Sequence, residues 1–330
     1  MDAVRWGIAG PGRIAEKVAA DFPLVENAEL VAVGSRSLER ARSFADRHLI
    51  PHAHGSYRAL IDDDQVDAIY LATPHPQHHA IALAAIEAGK AVLVEKAFTA
   101  TVAGAEEVIA AARARKVFAM EAMWTRFQPA NRQVRSWVDD GAIGELRTVQ
   151  ADLGVLRDFD PDDRLFNKAL GGGALLDLGV YVVSFAQWML GEPERIDTTG
   201  RLGETGVEVD ADLLLSYSNG RSALLTCSLH TPMPGAARII GSDGWIDVLP
   251  RFHHPTQVVL HRHDADPVPV TALPRGDGYS HELAEVTDGM LAGRTESAIM
   301  PLDDTLAVQR ILETAAGQLG VEWTEAAVQL

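Results

Sequence analysis

Short apolar runs alternate with Ala-rich stretches of mixed polarity along the first part of the chain. Strands are predicted at residues 4–9, 30–33, 67–72, 91–94 and 117–120. Helices are predicted between them at 13–22, 38–48, 76–88 and 101–114, the third stopped by Gly89. This alternation argues for βαβ units, hence a parallel sheet with helices on both faces.

The texture changes after residue 122. An amphipathic helix is expected at 129–139 and an apolar one from Gly173 to about Leu190. From about 195 to 275 strands dominate, at 211–217, 222–230, 237–240, 244–248 and 257–261. Asn219-Gly220 and Ser242-Asp243-Gly244 carry hairpin turn chemistry between such runs. The pattern predicts an antiparallel or mixed sheet with helices on one face, closed by a last helix at about 303–318. No internal repeat or low-complexity linker interrupts it. The fold class expected is α/β in two domains, 1–122 and 123–330, the second with a large, mainly antiparallel open sheet.

Composition agrees. A chain of 330 residues exceeds the usual size of one hydrophobic core. The single Cys227 excludes an internal disulfide and favours a reducing, cytoplasmic setting. No apolar run reaches the length of a membrane span. The opening Met1-Asp2-Ala3-Val4-Arg5-Trp6 lacks a basic segment followed by an apolar one, so no signal peptide is expected. A net charge of −17 argues against nucleic-acid and anionic-membrane partners.

The first strand runs into Gly10-Pro11-Gly12-Arg13-Ile14-Ala15, a Gly-x-Gly-x-x-Ala pattern that opens a helix. In that context it is the dinucleotide fingerprint, and the first domain reads as a Rossmann dinucleotide-binding domain. Gly10 permits the tight turn and Gly12 a close pyrophosphate, with the helix N-terminus presenting N–H groups. After the second strand, where NAD enzymes carry an acidic residue, stands Gly34-Ser35-Arg36-Ser37, with Arg40 four residues after Arg36. Two guanidinium groups on one helical face would clamp a 2′-phosphate. NADP is therefore the cofactor expected, with NAD as the alternative. Arg36 and Arg40 also fit as surface charges paired with Glu39 or Asp46.

Two further constellations carry chemistry. Glu95-Lys96 follows the strand 91–94 at its carboxyl end, where sites assemble in such sheets. Gly171-Gly172-Gly173 leads into an apolar helix with Asp177 and Tyr181 four apart, on one face. Each alone also fits an ordinary surface pair or a capped core helix.

Taken together, these motifs resemble the Gfo/Idh/MocA family of NAD(P)-dependent oxidoreductases over nearly the whole chain. The carriers are the glycine loop, Thr73-Pro74-His75-Pro76-Gln77-His78, Glu95-Lys96, Met120 to Phe127, and Gly172 to Tyr181. The chain is most similar to the dimeric dihydrodiol dehydrogenase and D-xylose dehydrogenase branch, whose Tyr it carries at 181 where the wider family commonly has His. The resemblance implies a Rossmann domain and a substrate-binding α/β domain whose open sheet forms a homodimer or higher homo-oligomer. It implies Lys96 and Tyr181 as catalytic residues, with Asp177 near the substrate. The cofactor-binding candidates are Gly10, Gly12, Arg13, Ile14, Ser35, Arg36, Arg40, Thr73, His75, His78, Glu95, Lys96, Trp124 and Arg126. The expected reaction moves a hydride between the nicotinamide and a carbinol carbon of a sugar, polyol or trans-dihydrodiol. Tyr181 exchanges the hydroxyl proton, and Lys96 lowers its pKa from the unperturbed ~10. Trp124, Arg126 and Phe127 line the nicotinamide or sugar side, or pack the domains. One departure stands out: the family usually reads Glu-Lys-Pro, and here it is Glu95-Lys96-Ala97.

No metal site is expected. His75, His78, His79, His253, His254, His261 and His263 have no Cys partners and no H-E-x-x-H spacing. Two alternatives stay open: an oxidoreductase or epimerising enzyme that keeps and recycles its cofactor, and an NADP-binding regulator without turnover. The partner expected in either enzyme reading is a small carbohydrate or diol.

Overall fold

Among the described residues two sheets carry the fold, one of six strands and one of eight. The computed structural model describes residues 3–330; Met1 and Asp2, part of the segment read for a leader, lie outside them. The chain opens with β1 (Val4–Ala9), α1 (Arg13–Asp21), β2 (Ala28–Gly34), α2 (Leu38–His48), β3 (His52–His54) and α3 (Tyr57–Ile61). It continues with β4 (Ala68–Leu71), α4 (His75–Glu87), β5 (Ala91–Glu95), α5 (Val102–Arg115), β6 (Ala119–Ala122) and α6 (Pro129–Asp139). Then come β7 (Leu146–Gly154), α7 (Val180–Leu190), β8 (Arg195–Leu202), β9 (Glu208–Ser216) and β10 (Ser222–Ser228). The last elements are β11 (Ala237–Gly241), β12 (Gly244–Val248), β13 (Gln257–Arg262), β14 (Ala265–Thr271), α8 (Ser280–Leu291) and α9 (Leu302–Gln318). β3, α3, β7, β8, β14 and α8 were not among the elements expected from the sequence.

The described chain divides into two compact units. One holds residues 3–122, 275–306 and 324–330, the other 123–274 and 307–323. Where the sequence reading drew one linear cut, the chain returns to the first unit after the second sheet.

In the first unit the strands lie in the order β3-β2-β1-β4-β5-β6, all parallel. β4 and β5 are buried throughout, as strands covered on both faces must be. Helix starts are set by hydroxyl caps. Ser37, Ser56 and Thr101 accept the N–H groups of Arg40, Ala59 and Gly104 at 3.3, 3.0 and 3.0 Å, each cap worth about 1 kcal/mol. The strand order reverses between β1 and β4. The loops that follow them, at Gly10 and Ala72, therefore flank the crevice where ligands bind in such sheets.

In the second unit the order is β14-β13-β12-β11-β7-β10-β9-β8. β7 and β10 run parallel and the other pairs antiparallel, so the sheet is mixed. Asn219-Gly220 joins β9 to β10 and Ser242-Asp243-Gly244 joins β11 to β12, as the turn chemistry predicts. Leu213, Leu215, Ala223 and Leu225 are buried while Leu214 and Leu224 are exposed, so one face is packed and one is open. The helical stretch 168–190 is long and apolar enough to cross a membrane. It is instead mostly buried, and its α7 packs on β7 and β10.

Candidate active site

The turn after β1 is built for close approach. Gly10 has φ +94°, and a Cβ there would meet Thr73 Cγ2 at 3.0 Å and the Ala72 carbonyl oxygen at 3.2 Å. A Cβ on Gly12 would meet nothing within 4 Å, so the space above it is open to a ligand. Gly12 caps α1 without a side-chain hydrogen bond, which leaves N–H groups of the first turn for an anion. A cleft of about 490 Å³ opens there. Its walls are Gly10, Pro11, Gly12, Ser35, Arg36, Ser37, Arg40, Tyr57, Ala72, Thr73, Pro74 and Gln77, none of them acidic. Among buried polar atoms, Thr73 Oγ1 and Gln77 Oε1 have no hydrogen-bond partner in the protein. Orphaned polar atoms in a cleft with a bare glycine and a free helix N-terminus fit a bound dinucleotide.

Arg36 and Arg40 do line one cleft, but not as a pair one helical turn apart. Ser37 is the cap of α2, so Arg36 stands before the helix and Arg40 within it. Tyr57 joins them; burial raises its phenol pKa and the two guanidinium charges oppose that rise. Ser35 is buried, and its Oγ accepts the Ser37 N–H at 3.2 Å. Arg13 and Ile14 open α1 and are not among the walls of the cleft.

His75 begins α4 and packs edge-to-face on His78 at 5.9 Å. The buried His78 ring ties two loops together, with Nε2 2.7 Å from the Thr73 carbonyl oxygen and Nδ1 3.0 Å from that of Ala97. Burial pushes His78 down to about 4, helped by the charge on Lys96 and opposed by the carbonyls.

Lys96 follows β5 and is half-buried. Glu95 accepts the Tyr70 hydroxyl on one oxygen and the Lys96 N–H, at 3.2 Å, on the other. The Lys96–Ala97 peptide is cis, and the Phe98 N–H donates to Glu121 at 3.2 Å. Glu282, from α8, is buried in the same unit. Burial, then the charges of Glu95, Glu121 and Asp21, hold its carboxyl well above the usual range.

In the second unit a π-helical turn, Leu175–Gly179, precedes α7. Asp177, Tyr181 and Trp188 are the half-exposed positions of an otherwise buried stretch, so Asp177 and Tyr181 share its open side. Arg164 donates to Asp177 at 2.8 Å. The Trp124 indole N–H donates to the Tyr181 oxygen at 3.2 Å, and His253 packs on the Tyr181 ring with centroids 5.0 Å apart. Arg126 is 1% exposed. Its guanidinium donates to Ser184 Oγ at 3.2 Å and to Gln187 Oε1 at 2.6 Å.

Comparison with known proteins decides the family. Residues 4–123 match the model of an oxidoreductase family with an NAD-binding Rossmann fold, and 131–247 match the GFO/IDH/MocA C-terminal domain. The chain is 36% identical over 332 residues to trans-1,2-dihydrobenzene-1,2-diol dehydrogenase of Homo sapiens, covering 98% of this chain and 99% of that one. The chain belongs to the Gfo/Idh/MocA oxidoreductase family. The Xenopus tropicalis enzyme of the same name is 37% identical, with 97% of this chain and 99% of that one covered. Among solved structures, an aldose–aldose oxidoreductase from Caulobacter crescentus superposes with TM-score 0.87 at 26% identity, covering 96% of this chain and 98% of that one. A 3-ketoreductase from Actinomadura kijaniata in complex with NADP and TDP-benzene gives 0.84 at 27%, with the same coverage.

Within this Gfo/Idh/MocA chain, sequence reasoning missed Tyr57 and Gln77 in the cleft, Glu282 with its charge interaction with Glu95, and His253 beside Tyr181. Glu208 was missed too; its Oε1 accepts the Leu175 N–H at 3.1 Å at the start of the π turn. Gln77 lies within the Thr73–His78 run without being marked out as a site residue, and the others have no local motif, because distant elements bring them in. His52 and His54 on β3 also went unremarked. Both hydrogen-bond Asp63 Oδ2, at 3.0 and 2.9 Å, and among the described residues these three form a group that could hold a metal ion. Burial raises the Asp63 pKa, but hydrogen bonds from His52, Gln65 and His54 outweigh it and hold it at about 2. The pattern is that of a clasp between an edge strand and the loop after α3. Cys227 is buried and its thiol pushed well up, which leaves it protonated and inert.

Proposed function

We propose that this enzyme is an NADP-dependent oxidoreductase that moves a hydride between nicotinamide and a carbinol carbon of a sugar, polyol or trans-dihydrodiol. The observation that carries the cofactor half is the cleft where Arg36 and Arg40 stand with no carboxylate among the lining residues. The substrate class is supported by the relatives named as dihydrodiol dehydrogenases and by the sugar-related names of the similar structures. Bound in that cleft, the cofactor supplies the hydride donor or acceptor. Gly10, Gly12 and the N-terminus of α1 would hold its pyrophosphate, and Arg36 and Arg40 would grip the 2′-phosphate. Tyr181 exchanges a proton with the substrate oxygen, Asp177 hydrogen-bonds the substrate, and Lys96 is the further catalytic residue of the reading.

The test is a cofactor-reduction screen over aldoses, inositols and trans-dihydrodiols with NAD and NADP side by side. The reading expects turnover with NADP favoured. NADPH binding without turnover on any of them would favour a regulator. The likeness to an aldose–aldose oxidoreductase favours a second reading, in which the cofactor stays bound and is recycled. NADP(H) retained through purification would distinguish it. We also propose a homodimer through the open sheet face bearing Leu214 and Leu224, testable by light scattering of Leu214→Glu.

A further inference from the structure

Trp124 and Tyr181 lie 57 residues apart in sequence, and the indole donates to the phenol oxygen at 3.2 Å. An indole offers a donor and no acceptor. The hydroxyl proton of Tyr181 therefore does not point at Trp124. The same bond strengthens when the oxygen carries negative charge, since hydrogen bonds to ionised acceptors are roughly twice as strong as neutral ones. The donor is also held in place. Trp124 is 8% exposed and its ring packs on His254 at 5.2 Å and His253 at 6.1 Å. Thr125 donates to the His253 carbonyl at 3.0 Å. Asn131 donates to both the Thr125 and Phe252 carbonyls, at 2.9 and 3.0 Å, which locks the two segments together. The titratable groups around the phenol in this unit include His253 on its ring, His254 beyond Trp124, and Asp177 one turn earlier with its partner Arg164.

We propose that Trp124 is a positioning residue for proton transfer at Tyr181. Its fixed N–H directs the phenol proton toward the substrate oxygen and stabilises the phenolate left when that proton departs. The inference rests on the reading of Tyr181 as the proton-transfer group. In oxidation of a carbinol the substrate O–H bond breaks and its proton joins the phenolate, while the C–H electron pair leaves as hydride to the nicotinamide. Reduction runs the same exchange backwards. A pocket wall would need only the area of the indole; the proposed role needs its N–H.

The decisive measurement is carbon-13 NMR titration of tyrosine labelled at Cζ, with the Tyr181 signal among five assigned through Tyr181→Phe. Trp124→Phe keeps an aromatic ring and removes the donor. Replacement of Trp124 by 3-benzothienylalanine keeps the full bicyclic shape and removes only the N–H, which covers the case where Trp124→Phe fails to fold. Either change is expected to move the Tyr181 midpoint up by about one pH unit, the scale of one hydrogen bond to a charged oxygen. With trans-1,2-dihydrobenzene-1,2-diol as probe, kcat falls about tenfold while KM stays within about twofold. An unmoved Tyr181 midpoint overturns the inference, as does a change confined to KM. Full turnover by Tyr181→Phe overturns the functional reading and this role with it. An inactive Tyr181→Phe alongside an unmoved midpoint overturns this inference alone.

Discussion

Gly173 faces Glu208 so closely that a Cβ on the glycine would lie 2.2 Å from Glu208 Oε1, the oxygen that accepts the Leu175 N–H. The triple-glycine run is thus explained in part by a buried carboxyl against the start of the π turn. Gly173 also has φ +121°, a region L side chains avoid.

Gly173→Ala should destabilise the protein by about 3 kcal/mol, from strain of roughly 1–3 kcal/mol plus a displaced buried hydrogen bond of about 1 kcal/mol. Urea unfolding checks this. A change under about 0.5 kcal/mol would contradict both the backbone strain and the close Glu208 contact.

Glu208 is 0% exposed, and burial pushes its carboxyl up to about 7 against hydrogen bonds from its own backbone and from Leu175. The folded state therefore holds the proton more tightly than the unfolded chain, whose carboxyl titrates near 4.5. Its contribution is fully present below about 4.5 and is lost as pH rises through about 7. Glu208→Gln removes the loss and should stabilise the protein at pH 8 relative to the wild type, by up to about 3 kcal/mol. A variant no more stable at pH 8 than at pH 5, relative to wild type, contradicts the assignment.

His78 carries the opposite slope. With its imidazole held down at about 4 against 6.5 unfolded, the folded state binds the proton more weakly. Stability is then full above about 6.5 and lost as pH falls through about 4. Between about 4.5 and 6.5 this gain with pH opposes the Glu208 loss, to which the raised Glu282 carboxyl adds a loss of the same sign. Relative to the wild type, Glu208→Gln should therefore gain stability as pH rises through that window, and His78→Gln should lose it. Identical pH profiles for the two variants would rule this out.

The parallel sheet and the glycine loop were legible because local rules agree there: apolar runs, caps and turn glycines all point one way. β7 was not, although it is the central strand of the second sheet, paired with β10 and β11. Only Val149, Ala151, Leu153 and Gly154 are buried, so it never forms an apolar run. β14 contains Pro267 and Pro269 and lies at the edge, where proline is tolerated but reads as a breaker. α8 buries polar Ser280 and Glu282, and Asp21 accepts the N–H groups of Tyr279 and Ser280 at 2.8 and 3.0 Å. Its stability lies in partners more than 250 residues away, which no local pattern reveals. The site divides the same way. Gly10, Gly12, Arg36 and Thr73 announce themselves by motif, whereas Trp124 on Tyr181 and Glu208 on Leu175 exist only after folding.

Arg36 and Arg40 give the sharpest check on the cofactor. Both are exposed on the cleft wall, so each hydrogen-bonded contact to a 2′-phosphate falls at the low end of the charge-assisted range, about 1.5 kcal/mol. Arg36→Ala and Arg40→Ala should each weaken NADP binding by about tenfold, and the double variant by more. NAD, which lacks that phosphate, should bind within about threefold of its wild-type affinity, since the pyrophosphate contacts at Gly10, Gly12 and α1 are untouched. Raising the salt concentration should narrow the gap between the two cofactors in the wild type and change little in the double variant, because exposed charges are screened. Calorimetric titration of both cofactors into the three variants reads all of this directly. An equal loss for NAD and NADP would mean that the arginines hold the loop rather than the phosphate, and the NADP assignment would fall.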